Sequence, residues 1–156
     1  MSKHNLLEES VFKGTVTDII DFLWDSKDFD KLFDAGKWVH KSALHLFASA
    51  GWEPAAEVLL ELGANINVRD SQGNTPLHDA FLKKDNKYKV IIELLIDKGA
   101  DINAQNYEGN TPLHSALVNY DYDTASLLIN MGADINIPNK LGTTPKQMYA
   151  FCSSRI

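Results

Sequence analysis

Apolar residues recur along this chain in two alternating kinds of stripe. Leu77, Ala80 and Phe81 fall at i, i+3 and i+4, as do Leu113, Ala116 and Leu117, so each trio lies on one face of a helix. Denser apolar runs follow at Val58-Leu59-Leu60, at Ile91-Ile92 with Leu94-Leu95-Ile96, and at Ala125 with Leu127-Leu128-Ile129. Each predicts a second helix. The segments ANINVRDSQGN and ADINAQNYEGN separate these pairs. They are rich in Asn, Asp and Gly, too short for a helix, and alternate Ile with polar residues. That pattern predicts an extended turn or a short hairpin.

The boundaries of the helices carry their own signals. A hydroxyl residue caps a first turn well, and Pro fits the first helical position, where its missing N–H is not needed. Thr-Pro steps stand at Thr75, Thr111 and Thr144, and a degenerate copy, Ser42-Ala43-Leu44-His45, lies upstream; the spacings are 33, 36 and 33 residues. A Gly suited to the left-handed position after a helix closes each second run, at Gly63, Gly99 and Gly132, spaced 36 and 33. The two markers share one register. The nonapeptides GNTPLHDAF and GNTPLHSAL, from Gly73 and Gly109, are its best-kept part.

A unit of about 33 residues, built of a hairpin-like turn and two antiparallel helices and carrying T-P-L-H, resembles the ankyrin repeat. The match is close over 70–136 and looser over 37–69, where His40 stands in place of the turn glycine. The resemblance implies an all-α solenoid in a single domain, 1–156. It divides into a diverged first unit (4–36), full units at 37–69, 70–105 and 106–138, and a half-unit at 139–156. About four extra residues fall in the first connection, near Ser26–Lys37. Terminal units are expected to depart from the pattern, since one of their faces meets water.

The resemblance also implies a binding module without catalytic activity, whose partner is another protein held on the hairpin tips and the concave face of the first helices. By position the tips are Trp38, Val39 and Lys41, then Ser71, Gln72 and Asn74, then Tyr107, Glu108 and Asn110, then Lys140, Leu141 and Thr143. The concave residues are Ser49 and Ala50, Leu82 and Lys83, Val118 and Asn119. Arg69, Gln105 and Pro138 precede the tips. These positions differ from copy to copy while the frame repeats. Trp38 and Tyr107 stand out because aromatic residues dominate interface hot spots. Trp52, Tyr120 and Tyr122 fall at the inter-helix turns, away from the tips, and read as structural or neutral.

Two irregularities add alternatives. The 36-residue unit carries three extra residues in a stretch with four lysines, Leu82–Lys89; it is a solvated loop or a docking patch for an acidic partner. The last unit lacks a second helix, so Met148, Tyr149, Phe151 and Cys152 either lie under the C-terminal tail or pair with a second chain. The monomer is the preferred state.

Composition narrows the field. The net charge of −6 disfavours nucleic acid and anionic membranes as partners. One cysteine cannot form an intramolecular disulfide. No apolar run reaches the 18–20 residues or so of a membrane span, and the N-terminus does not read as a signal peptide. The expected setting is cytoplasmic, with secretion by a route that reads no N-terminal signal left open. The chemistry of an enzyme is not assembled. Adjacent helix residues such as His114 and Ser115 do not face each other. His45, His78 and His114 lie one unit apart, too far to share a metal, and in the resembling family this His ties neighbouring units. No calcium loop or phosphate-cradling glycine loop is present. No cofactor, metal or catalytic residue is expected.

Overall fold

The computed structural model describes residues 28–30, 32–34, 40–80 and 87–153. Its elements are β1 (Leu32–Asp34), β2 (His40–Ser42), α1 (Ala43–Ala50), α2 (Glu53–Glu61), α3 (Pro76–Asp79), α4 (Lys87–Asp97), α5 (Pro112–Val118), α6 (Tyr122–Asn130) and α7 (Pro145–Ser153). Helices α1, α3, α5 and α7 each open at a Ser/Thr position of the register and pack side by side in that order, forming an inner layer. Helices α2, α4 and α6 form the outer layer, with α2 against α1 and α6 against α5.

The two stripes meet in one continuous core. Leu44, Phe47, Leu77, Leu113 and Leu117 of the inner layer are fully buried, as are Leu59, Ile91, Ile92, Leu95 and Leu128 of the outer layer. Small residues, Ala48, Ala56, Ala80, Ala116 and Ala125, let the layers approach closely. Each unit alone would leave one face of its helix pair in water. Stacking is what buries it.

Capping follows the sequence closely. Ser42 and Thr111 take extended backbone angles and accept the N–H of the third helical residue. Gly63, Gly99 and Gly132 have φ of 95°, 95° and 101°, and a Cβ there would meet nothing within 4 Å. Glycine is therefore required by conformation alone at these helix ends.

The first connection differs from the others. Residues 32–34 and 40–42 pair as antiparallel strands, Leu32 opposite Ser42 and Asp34 opposite His40. A strand at His40 replaces the glycine turn of the other units. Upstream, the Asp30 carboxylate accepts the Asn65 N–H at 2.8 Å, just as the Asn67 amide oxygen accepts the Asp101 N–H at 2.9 Å. Asp28-Phe29-Asp30 thus occupies the register of the later Asp-Ile-Asn. The expected first unit, 4–36, otherwise lies outside the described residues. So do Trp38, Val39, Phe81, Leu82 and Lys83, with the start of the lysine-rich stretch, and the side chains of Phe151 and Cys152.

Candidate functional site

Each hairpin is folded by one side chain. Asp70 Oδ1 accepts the N–H groups of Gln72 and Asn74, both at 2.8 Å. Asn106 Oδ1 does the same for Glu108 and Asn110, and Asn139 Oδ1 for Leu141 and Thr143, all at 3.0 Å. These Asx turns close onto Gly73, Gly109 and Gly142, whose φ is near +77°. At Gly109 a Cβ would stand 2.8 Å from the Lys140 amide nitrogen, because the next hairpin passes directly over it.

Successive hairpins are joined edge to edge. The Tyr107 N–H donates to the Gln72 carbonyl at 3.1 Å, and the Lys140 N–H to the Glu108 carbonyl at 2.9 Å. Three further ties recur in register. His45, His78 and His114 bond through Nε2 to the carbonyls of Asn74, Asn110 and Thr143 at 2.9–3.0 Å. The tautomer is settled by partners: Nδ1 of each ring accepts a backbone N–H, from Ser42, Thr75 or Thr111, so Nε2 carries the proton and donates. Burial lowers the pKa of His45 and His78 to about 4 and lowers that of His114 as well. A buried neutral imidazole with both nitrogens engaged is a structural clamp. It is no general base.

Several residues expected to face a partner are also engaged within the array. Asn106 Nδ2 donates to Asn74 Oδ1, and Asn139 Nδ2 to Asn110 Oδ1, at 2.8 and 2.9 Å. Arg69 Nη1 reaches the carbonyls of Gly73 and Gln105, and Gln105 Nε2 those of Gly109 and Pro138. Lys41 is the clearest case. Its part-buried ammonium bonds Asp70 Oδ2 at 3.2 Å and also Asp79 Oδ2. In register Lys41 stands where later units have Asn74 and Asn110, and Asp70 where they have Asn106 and Asn139. The first seam therefore reverses the direction of donation and replaces an amide pair with an ion pair. Only the joint departure of Lys41, Asp70 and Asp79 from the repeat pattern could have signalled this.

The same cluster answers the question of a metal. Ligand atoms of His45, Asp70 and Asp79 converge within 4.8 Å of one another. The cation among them is the lysine ammonium, and both His45 nitrogens already have partners. Burial pushes the Asp79 carboxyl up to about 6 despite the attraction of Lys41. Burial also acts to raise Asp70, but the N–H bonds of Gln72 and Asn74 and the charge of Lys41 outweigh it and hold its carboxyl below the usual range.

Beyond the frame lies a stripe of side chains that face solvent. Ser71 and Gln72 are exposed; Tyr107 is 59% exposed and Leu141 88% exposed. Glu108 and Lys140 are exposed beside them. On the inner layer Val118 is 58% exposed and Asn119 is open, while Ser49 and Ala50 are partly buried. Tyr120, 69% exposed, adopts φ 56° where the first full unit has Gly51 at 68°, a strained conformation for an aromatic residue. Its register with Gly51 is the signal that points to this conformation. Tyr122 and Tyr149 meet edge to face with centroids 6.3 Å apart, so Tyr149 is partly covered from within the chain.

Charge is divided between the layers. The outer helices and the turns after them carry Glu53, Glu57, Glu61, Glu93, Asp97, Asp101, Asp123 and Asp134, with Lys89 and Lys98 as the described exposed bases. Those two lysines pair with Glu93 and Glu57. The tips and inner layer expose Arg69, Lys140 and Lys146 against Glu108, among the described residues. No helix among the described residues is long and apolar enough to cross a membrane.

Comparison with known proteins agrees with this architecture. A family model described as ankyrin repeats in three copies matches residues 7–106 and 84–156. Rabankyrin-5 of Mus musculus is 45% identical over 53 residues, which is 34% of this chain and 4% of that protein. A putative ankyrin repeat protein of Rickettsia bellii is 44% identical over 52 residues, 32% of this chain and 22% of its own length. The potassium channel AKT2/3 of Arabidopsis thaliana is 46% identical over 44 residues, 28% and 6% respectively. The chain thus spans a small part of each of these relatives.

Proposed function

Since the chain belongs to the ankyrin-repeat family, whose domains are generally protein-binding and not catalytic, we propose that it recognises a partner protein through its hairpin tips and the inner helical layer. It would act as an inhibitor, regulator or adaptor. The observation that carries this is the contrast within the hairpins. The Asx turns, the histidine clamps and the backbone ties are the same in successive units, whereas Ser71-Gln72, Tyr107-Glu108 and Lys140-Leu141 differ and face solvent. Frame and recognition are thus carried by different atoms. Among the described residues Ser71, Gln72, Tyr107, Glu108, Val118, Asn119, Lys140 and Leu141 offer exposed side chains to that partner, and Trp38, Val39, Leu82 and Lys83 belong to the same proposed set. Lys41, Asn74, Asn110 and Gln105 contribute by holding the frame, which limits the ordering cost of association, and Arg69 both ties the frame through Nη1 and presents its exposed charge to the partner.

A photo-crosslinking residue at position 107 or 141, with a control at the outer-layer position 129, tests the assignment in the native cell. Adducts from the tips and none from position 129 support it. Equal labelling at 129, or none at the tips, refutes it.

We further propose that the chain works as a monomer. At the last unit the residues that tie one unit to the next change: Pro138 follows Arg69 and Gln105, Thr143 follows Asn74 and Asn110, and Lys146 follows Leu77 and Leu113. An end-to-end pairing would bury a lysine where earlier seams bury leucine. Sedimentation across concentration checks this; a dimer at micromolar protein would overturn it.

A further inference from the structure

The division of charge says what kind of segment the tip face fits. The outer layer is strongly acidic, and among the described residues the tips and inner layer expose three cations, Arg69, Lys140 and Lys146, and one carboxylate, Glu108. The layers are separated by a packed helix, roughly 10 Å, which is about one screening length at physiological salt. An approaching group at the tips therefore meets the local field of Arg69, Lys140 and Lys146 more than the acids behind. Arg69 spends Nη1 on two backbone carbonyls, but those neutral acceptors leave its full charge on an exposed side chain.

Resting on the protein-binding reading above, we propose that the tip face takes an extended acidic segment of its partner, with apolar side chains on Tyr107 and Leu141 and carboxylates toward Arg69 and Lys140. Adjacent units are about 10 Å apart. Arg69 and Lys140 belong to tips two seams apart, so about 20 Å separates them, the reach of about six extended residues. The two carboxylates are spaced accordingly. Glu108 lies between and rejects a carboxylate at the middle of the segment. Tyr107 lies over the backbone of Gly73, close enough that a Cβ there would stand 2.6 Å from the ring, so it is a preordered apolar platform. Leu141 is exposed one unit further on. Nucleic acid fits this face poorly: three spaced cations interrupted by a carboxylate, on a chain of net charge −6, neutralise few phosphates.

The test is a selection of random twelve-residue displayed peptides on the intact immobilised chain, followed by affinities of the recovered peptides. Recovered sequences should carry Asp or Glu about six positions apart around aromatic or aliphatic residues. Their affinity should fall about tenfold or more in K140E/K146E, and severalfold between 50 and 500 mM salt, with helicity of the variant unchanged. Loss of binding in Y107A/L141A places the peptides on the tips. Peptides that need Tyr107 and Leu141 but show no acidic enrichment and ignore K140E/K146E overturn this inference and leave the protein-binding reading intact. Peptides indifferent to Y107A/L141A overturn both. Recovery of no peptides, or displacement of the peptides by single-stranded oligonucleotide, also overturns the acidic-segment proposal.

Discussion

Replacing His78 by Gln should leave the fold intact at neutral pH and remove one component of its acid sensitivity. The last unit already demonstrates the exchange. Gln147 stands at the register position of His78, and its Oε1 accepts the Thr144 N–H at 2.9 Å, as His78 Nδ1 accepts that of Thr75 at 3.1 Å. In H78Q the side-chain amide NH2 would then point where Nε2 now donates to the Asn110 carbonyl. Unfolded His78 gains a proton as pH falls through about 6.5, whereas the folded imidazole stays neutral down to about 4. Acid therefore favours the unfolded chain across that window, and the stability from this group, fully present above pH 6.5, is lost as pH falls toward 4. At pH 5 the loss is about 2 kcal/mol. Urea unfolding at pH 7.5 and pH 5.0 measures it: H78Q should match the parent within about 1 kcal/mol at pH 7.5 and lose about 2 kcal/mol less on acidification. H78A should differ, losing about 2–4 kcal/mol at both pH values, because the Thr75 N–H and Asn110 carbonyl are left without their buried partner. An H78Q protein that keeps the full acid sensitivity of the parent, or is as weak as H78A at pH 7.5, refutes the clamp.

Three other outcomes are expected. Asp79 opposes the histidines: its carboxyl is raised to about 6 by burial, so it stabilises the fold as pH falls from 6 toward 4, and D79S, the residue found at Ser115, should steepen the acid loss between pH 6.5 and 5 in the same unfolding assay. K41A should destabilise by about 3 kcal/mol, because two buried carboxylates lose their counter-ion; K41N/D70N/D79S, which installs the neutral seam of the later units, should recover most of it, and failure to recover would show that the seams are not equivalent. Y120G should raise stability by about 1 kcal/mol by relieving a positive φ that Gly51 already adopts in the first full unit, seen as a higher melting temperature.

Much of the array was legible because its punctuation is local. Thr111-Pro112 and Gly99 act on their own backbone, so a short window suffices to read a helix start or stop. The inner and outer apolar stripes were legible for the same reason. Lys41 was not. Its position among the tips pointed outward, and its ion pairs depend on Asp70 and Asp79, which lie one unit away and act together. The ties of Asn74 and Asn110 were hidden for the same reason: polar side chains in a turn read as surface, yet the stacking of identical turns brings amide against amide. Exposure at Tyr107 and Leu141 was legible from variation within the repeat. The strain at Tyr120 was not, since nothing in an isolated Asn-Tyr-Asp says that the backbone must turn left there until Gly51 is placed in register.

The reversed polarity of the first seam bears on how such a chain can change length over generations. Asn74 and Asn110 offer the same acceptor, and Asn106 and Asn139 the same donor. A recombination event that deleted or duplicated 106–138 would bring like against like and leave a working joint. Lys41 has no such interchangeable mate, since it needs Asp70 and Asp79 together. Growth and shrinkage are thereby permitted toward the C-terminal side, while the unit beginning at Asp70 is locked to the hairpin that precedes it.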